Sequence, residues 1–205
     1  SGPNGTPNGE YCGICDPLTG FTSIMTTSLK ANLVDVTQFY QDVQDEGTLP
    51  AVSFVRPPES KAGHPANAIP GPFEEFVSDI VLRVQSDPAA WAKTAIFITT
   101  DEGGGYYDSG YIQPIDFFGD GTRISLLAVS PWAKAGHVDH TYADHVSLLK
   151  FIEKNWGLKP LSDRSRDNLP NPAAGRENIY VPANAPAIGD LMSLFDFHHD
   201  TEGDR

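Results

Sequence analysis

The chain has 205 residues and carries 14 Lys+Arg against 27 Asp+Glu, a formal net charge of -13. That balance excludes a nucleic-acid partner, because phosphate backbones are met by clustered Lys and Arg, and "RSR" at 164–166 is too short to form such a patch. A hydrophobic share of 40% with 19 Gly and 17 Pro describes a globular chain with long ordered loops, and no run approaches the roughly 18 apolar residues of a transmembrane segment.

In chain order, "SGPNGTPNG" (1–9) is a coil-like lead-in without an initiating Met, and the expectation is a processed or excised product. "YCGIC" follows with the only two cysteines, Cys12 and Cys15. C-x-x-C spacing serves a local disulfide, half of a zinc site completed by "HH" at 198–199, or redox exchange, and the Gly/Asn/Pro coil before it is a poor setting for the last. Residues 30–46 place Leu33, Val36, Phe39, Tyr40 and Val43 at helical spacing. "LPAVSFVRPP" (49–58) is expected to be a short buried strand, and 59–72 a loop holding His64. Residues 73–87 set Phe73, Phe76, Val77, Ile80, Val81 and Val84 on one helical stripe. "TAIFITT" (94–100) and "RISLLAVS" (123–130) are apolar runs expected to be strands covered on both faces. Residues 142–156 form a helix ended by Gly157, and 158–205 are loop-rich with one short helix near 187–195.

This order gives three stretches: 1–29, a loop-rich lead-in with the C-x-x-C; 30–158, an α/β core carrying the site; and 159–205, a loop-rich C-terminal segment of the same domain. Alternation of helix and strand points to a mostly parallel sheet, whose functional groups gather at the carboxyl ends of strands. His64 follows the first expected strand, Asp101 and Glu102 the second, and His137, His140 and His145 the third.

Chemistry concentrates at "DEGGG" (101–105). Adjacent carboxylates at the end of a buried strand repel and lose hydration, and a hard divalent cation such as Mg, Ca or Mn relieves both. Gly103 and Gly104 let the backbone turn and a substrate approach. The competing reading is an exposed turn or helix cap. In "HVDHTYADH" (137–145), three histidines sit with Asp139 and Asp144, a mixture suited to metal binding or proton transfer, although Asp144 also stands where it would cap the following helix.

With those residues placed, "WAKTAIFITTDEGGGYYD" (91–108), "GTRISLLAVSPWAKAGHVDH" (121–140) and "DHVSLLKFIEKNWGL" (144–158), joined by "LPAVSFVRP", the "HP" of the next loop and "LFDF" near the end, resemble the bacterial phosphoesterase family. That family includes phospholipases C and metal-dependent acid phosphatases. The resemblance implies an alkaline-phosphatase-like fold, a central mostly parallel sheet with helices on both faces, here incomplete without an upstream segment. It implies hydrolysis of phosphate esters by a Ser or Thr nucleophile held at one divalent metal ion (Mg, Ca, Mn or Zn). Asp101 and Glu102 would be metal ligands. His64 would contact the phosphate or protonate the leaving oxygen, with Gly103 and Gly104 beside the substrate and His145 in support of catalysis.

The family's Glu-Asn motif, near "ENRSFD", and its nucleophile precede the region matched here and are absent from these 205 residues. Cys15 and Asp16 stand where the family often has histidine, and no histidine follows Asp108. The expectation is therefore the C-terminal half of a secreted or periplasmic phosphoesterase, completed by an upstream half or a second chain. The alternatives are a non-catalytic exported structural or binding relative and a sulfatase-like hydrolase, the last needing a modified Cys or Ser nucleophile.

Overall fold

Capping and apolar spacing decide the first helices. Residues 13–45, 47–65 and 68–198 are described by a computed structural model, which divides into two compact units, Ser1–Thr94 and Ala95–Arg205. In the first unit, 3-10 turns at Gly13–Cys15, Pro17–Gly20 and Ser28–Asn32 flank a single-turn helix α1 (Thr22–Met25). Cys15 is disulfide-bonded, which decides its C-x-x-C alternatives; Cys12 and His199 lie outside the described residues.

Helix α2 (Val36–Gln44) starts later than the apolar spacing suggests. Asp35 takes the N-cap, its Oδ1 accepting the Thr37 amide at 3.0 Å, a cap of about 1 kcal/mol that fixes the boundary. Helix α3 (Pro70–Ser86) starts three residues earlier than expected, because Pro70 and Pro72 suit a first turn whose amides need no partners. Its stripe buries Phe76, Ile80 and Val84, while Val43 is buried on α2. Arg83 pairs with Asp79 at 2.8 Å and lies 4.2 Å from the Tyr40 ring centroid. Helix α4 (Pro88–Trp91) follows, with Asp87 Oδ1 accepting the Ala89 amide.

The expected strand at 49–58 does not form: these residues are irregular and Phe54 is 86% exposed. Pro50, Pro57 and Pro58 lack amide donors, and among the described residues no ladder partner lies alongside the apolar residues between them.

In the second unit, β1 (Ile96–Thr99) pairs antiparallel with β2 (Leu126–Val129), Ile96 opposite Val129 and Thr99 opposite Leu126. Among the described residues this pair is the sheet. It neither supplies nor excludes the mostly parallel alkaline-phosphatase-like sheet. Alternation sends Phe97 of β1, with Ala95 just before it, and Leu126 and Ala128 of β2 toward a core of Phe151, Leu191 and Phe195. Phe97 meets Phe151 and Phe195 edge-on at 4.8 and 5.8 Å. The opposite face of β2 is not covered, with Leu127 58% exposed, which corrects the expectation of burial on both faces.

Helix α5 (Val146–Trp156) closes the core and ends at Gly157 in the left-handed region (φ 64, ψ 32). Lys150, 8% exposed, donates to Leu169 O, Asn171 Oδ1 and Ile188 O and so ties the C-terminal loops to the helix. A 3-10 turn at Met192–Leu194 replaces the short helix expected near 187–195.

Candidate functional site

Strand β1 stops at Thr99, whose hydroxyl donates to Ser125 O at 2.8 Å and so fixes the strand end to the residue before β2. The Thr100 hydroxyl donates to Glu102 O at 3.0 Å, curling the chain so that Asp101 and Glu102 project beyond the sheet. The Tyr106 amide then closes a turn on Gly103 O at 3.1 Å. Its two central residues, Gly104 (φ 62) and Gly105 (φ 80), sit in the left-handed region, which is the reason for glycine there. Gly103 is needed for a different reason: a Cβ would lie 2.4 Å from Thr122 Oγ1.

Both carboxylates are exposed, and among the described residues neither accepts a hydrogen bond or ion pair. The expected loss of hydration therefore does not occur, because the strand ends before the acids and the turn carries them into water. Like charge on neighbouring residues remains. As hard oxygen donors they suit Mg, Ca or Mn in kind, and Mg is commonly held by one or two carboxylates with water and substrate phosphate. In number they fall short of a complete site: among the described residues no group of three or more His, Cys, Asp or Glu is placed to hold a metal ion.

His145 is brought to this tip. Its Nε2 lies 2.9 Å from Thr100 O; a carbonyl only accepts, so Nε2 carries the proton. The bond ties the start of α5 to the residue before Asp101. Asp144 does cap α5, accepting the Val146 amide at 2.8 Å, while its own amide donates to Ser147 Oγ. The other histidines disperse. His140 packs edge-on to Tyr180 at 4.9 Å, and His137 is exposed. His64 belongs to the first unit, exposed beside Gly63 (φ 72), with its carbonyl accepting the Ala68 amide at 2.8 Å.

Two arrangements were not foreseen. Asp108 accepts the Arg123 amide at 2.7 Å, Arg123 Nε at 2.8 Å and the Gly110 amide at 3.0 Å, stapling the segment after the glycines to the residues before β2. The Arg123 bonds hold the Asp108 carboxyl well below the usual carboxylate range. The second is Arg166, which meets Asp116 at 3.5 Å, Asp144 at 2.7 Å and Asp120. Asp120 also accepts the Tyr142 hydroxyl at 2.8 Å, and burial above all pushes that phenol up to about 12. A short Arg segment in a strongly acidic chain was the available signal for Arg166, but its partners lie 22 to 50 residues away in sequence.

The family model described as the phosphoesterase family matches residues 4–159. The hemolytic phospholipase C of Pseudomonas aeruginosa is 33% identical over 187 residues, covering 79% of this chain and 23% of that protein. The non-hemolytic phospholipase C of Burkholderia pseudomallei is 34% identical over 196 residues, covering 83% of this chain and 26% of its own length. Phospholipase C B of Mycobacterium tuberculosis is 29% identical over 186 residues, 78% of this chain and 32% of that enzyme. The chain thus spans between a quarter and a third, or slightly less, of the lengths of these curated relatives.

Proposed function

Since the chain belongs to the phosphoesterase family, we propose that it forms part of a metal-dependent phosphoric ester hydrolase, with a phospholipid as the leading substrate class. The observation that carries this reading is the β1 tip, where two unpartnered carboxylates stand on a glycine turn inside the matched segment. Asp101 and Glu102 would hold one divalent ion, with further ligands from water, the phosphate or residues elsewhere in a longer protein. Such an ion, when bound, neutralises phosphoryl oxygens and lowers the pKa of a coordinated nucleophile. Gly103 and Gly104 would add no side chains of their own beside the substrate. His145, anchored on Thr100 O, positions the tip from α5.

The nucleophile is proposed to lie outside these 205 residues, together with the segment that completes an alkaline-phosphatase-like sheet. Export is proposed as well, supported by the disulfide at Cys15, since such bonds persist in oxidising compartments. The part the resemblance gives His64 is tested independently by His64→Asn.

The deciding experiment measures, in the native protein, hydrolysis of a water-soluble chromogenic phosphodiester alongside Mn2+ titration by calorimetry. Asp101→Asn and Glu102→Gln should each lower the rate by about 100-fold or more, as loss of a charge-stabilising group at a phosphoryl centre does. Each should also weaken Mn2+ binding while leaving thermal stability within roughly 0.5 kcal/mol, since neither carboxylate has a partner to lose. Undiminished hydrolysis in either variant, or in excess EDTA, defeats the metal reading. Absence of hydrolysis and of Mn2+ binding in the wild type would favour a non-catalytic relative.

A further inference from the structure

Residues 116–120, "DFFGD", form a turn built to hold two aromatic rings in water. Asp116 Oδ1 accepts the Phe118 amide at 2.8 Å and the Gly119 amide at 3.1 Å, and Gly119 turns the chain at φ 70. Carboxylates on both flanks, Asp116 and Asp120, grip the guanidinium of Arg166, which Asp144 also holds at 2.7 Å. Phe117 and Phe118 at the tip are 96% and 89% exposed, and they touch mainly each other, edge-on at 5.5 Å. A solvent-facing pair of this size is costly to hydrate, and the turn beneath it is fixed by an ion-pair network rather than by the rings.

We propose that the Phe117–Phe118 tip is an interfacial wedge that enters the boundary between headgroups and acyl chains of a zwitterionic phospholipid surface. The identification of the surface rests on the proposed function above. A convex pair of rings with no groove around it suits a fluid layer that opens to admit them, and aromatic side chains favour that depth of a bilayer. Charge selects the kind of lipid. Three carboxylates against one guanidinium leave the base of the tip acidic, and the chain as a whole carries -13, so anionic lipid is repelled. The outermost group of a zwitterionic headgroup is an ammonium, which complements both the acidic base and the ring faces.

The test is flotation of the native protein with phosphatidylcholine vesicles, comparing wild type with the F117S/F118S double variant. Both rings are exposed, so the variant should melt with the wild type. Its partition should be weaker by roughly tenfold or more, from loss of two inserted rings. Phe117→Trp should give a fluorescence blue shift on phosphatidylcholine vesicles, read as a difference from wild type, and a smaller one on phosphatidylglycerol vesicles. Equal partition of the double variant, no partition of wild type, or an unshifted spectrum for the Phe117→Trp variant would overturn the proposal. So would loss of concentration-dependent self-association in the double variant without loss of lipid binding, which would make the tip a protein contact. The two readings separate on the soluble phosphodiester, whose hydrolysis by the native protein needs no surface. Lipid binding without that hydrolysis removes the enzymatic reading and leaves the wedge standing.

Discussion

Glu153 is the most unusual single residue in the second unit. It is 7% exposed, its Oε1 has no partner, and Asp167 beside it is 4% exposed. Burial first, and the adjacent Asp167 second, push the Glu153 carboxyl above its ordinary value. Burial also works against Asp167, but bonds from the Ser165 hydroxyl and the Leu161 amide, the latter at 2.7 Å, outweigh it and hold that carboxyl low. Of the two, Glu153 is therefore the carboxyl that takes up a proton first as the pH falls. Lys150 offsets this only in part: its charge favours the ionised carboxyl, but its three protons go to Leu169 O, Asn171 Oδ1 and Ile188 O. A carboxyl whose folded pKa is raised stabilises fully below its unfolded pKa, and that contribution is lost as pH rises through the folded value. Urea midpoints measured from pH 4 to 8 should thus fall for wild type relative to Glu153→Gln, which carries the neutral form at every pH. The two should converge at the acid end. A difference that is constant with pH would refute the upward shift of Glu153. Asp167→Asn should behave oppositely, destabilising most above the ordinary Asp pKa.

Elements and their junctions separate glycines that look alike in sequence. At Gly175, a Cβ would lie 2.4 Å from Val181 O and 2.5 Å from Asn178 O, both backbone atoms of one turn. Gly175→Ala must displace main chain, and we expect a loss of roughly 1–3 kcal/mol, a fall of several degrees in Tm. At Gly110 the clash is closer, 2.0 Å to Arg123 Nε, yet the obstructing group is a flexible side chain that is 64% exposed. Gly110→Ala should cost less than Gly175→Ala and should add nothing to Arg123→Ala, because both break the bridge to Asp108. Differential scanning calorimetry of the two variants and the double mutant decides this; equal losses at the two glycines would contradict it. The same contrast explains what was legible beforehand. Helices α3 and α5, the two strands and the Asp101–Glu102 tip follow from local patterns in the sequence. The Asp108–Arg123 staple and the Arg166 centre join residues 15 to 50 positions apart, and no local period encodes them. The stretch 49–58 had strand-like composition, but a strand is a pairing, and its prolines and lack of a neighbour left it irregular.

For the whole molecule, the quantity that matters is surface. Among the described residues nine apolar side chains are buried and twenty-two large ones are exposed, Phe54 and Tyr107 almost completely. One face of β2 is among the uncovered surfaces, with Leu127 outward, and the edges of a two-stranded sheet lack ladder partners. A core of this size gives little to set against the conformational entropy of some 200 residues, since each ordered residue costs about 1–2 kcal/mol. We therefore expect the isolated 205-residue chain to bind a hydrophobic dye such as ANS, to unfold over a broad denaturant range and to associate as its concentration rises. Joined to the upstream segment proposed above, the same residues should melt cooperatively and lose most dye binding. A sharp two-state melt with monomeric elution of the isolated chain would show that these apolar faces tolerate water, and the upstream partner would lose its physical motive.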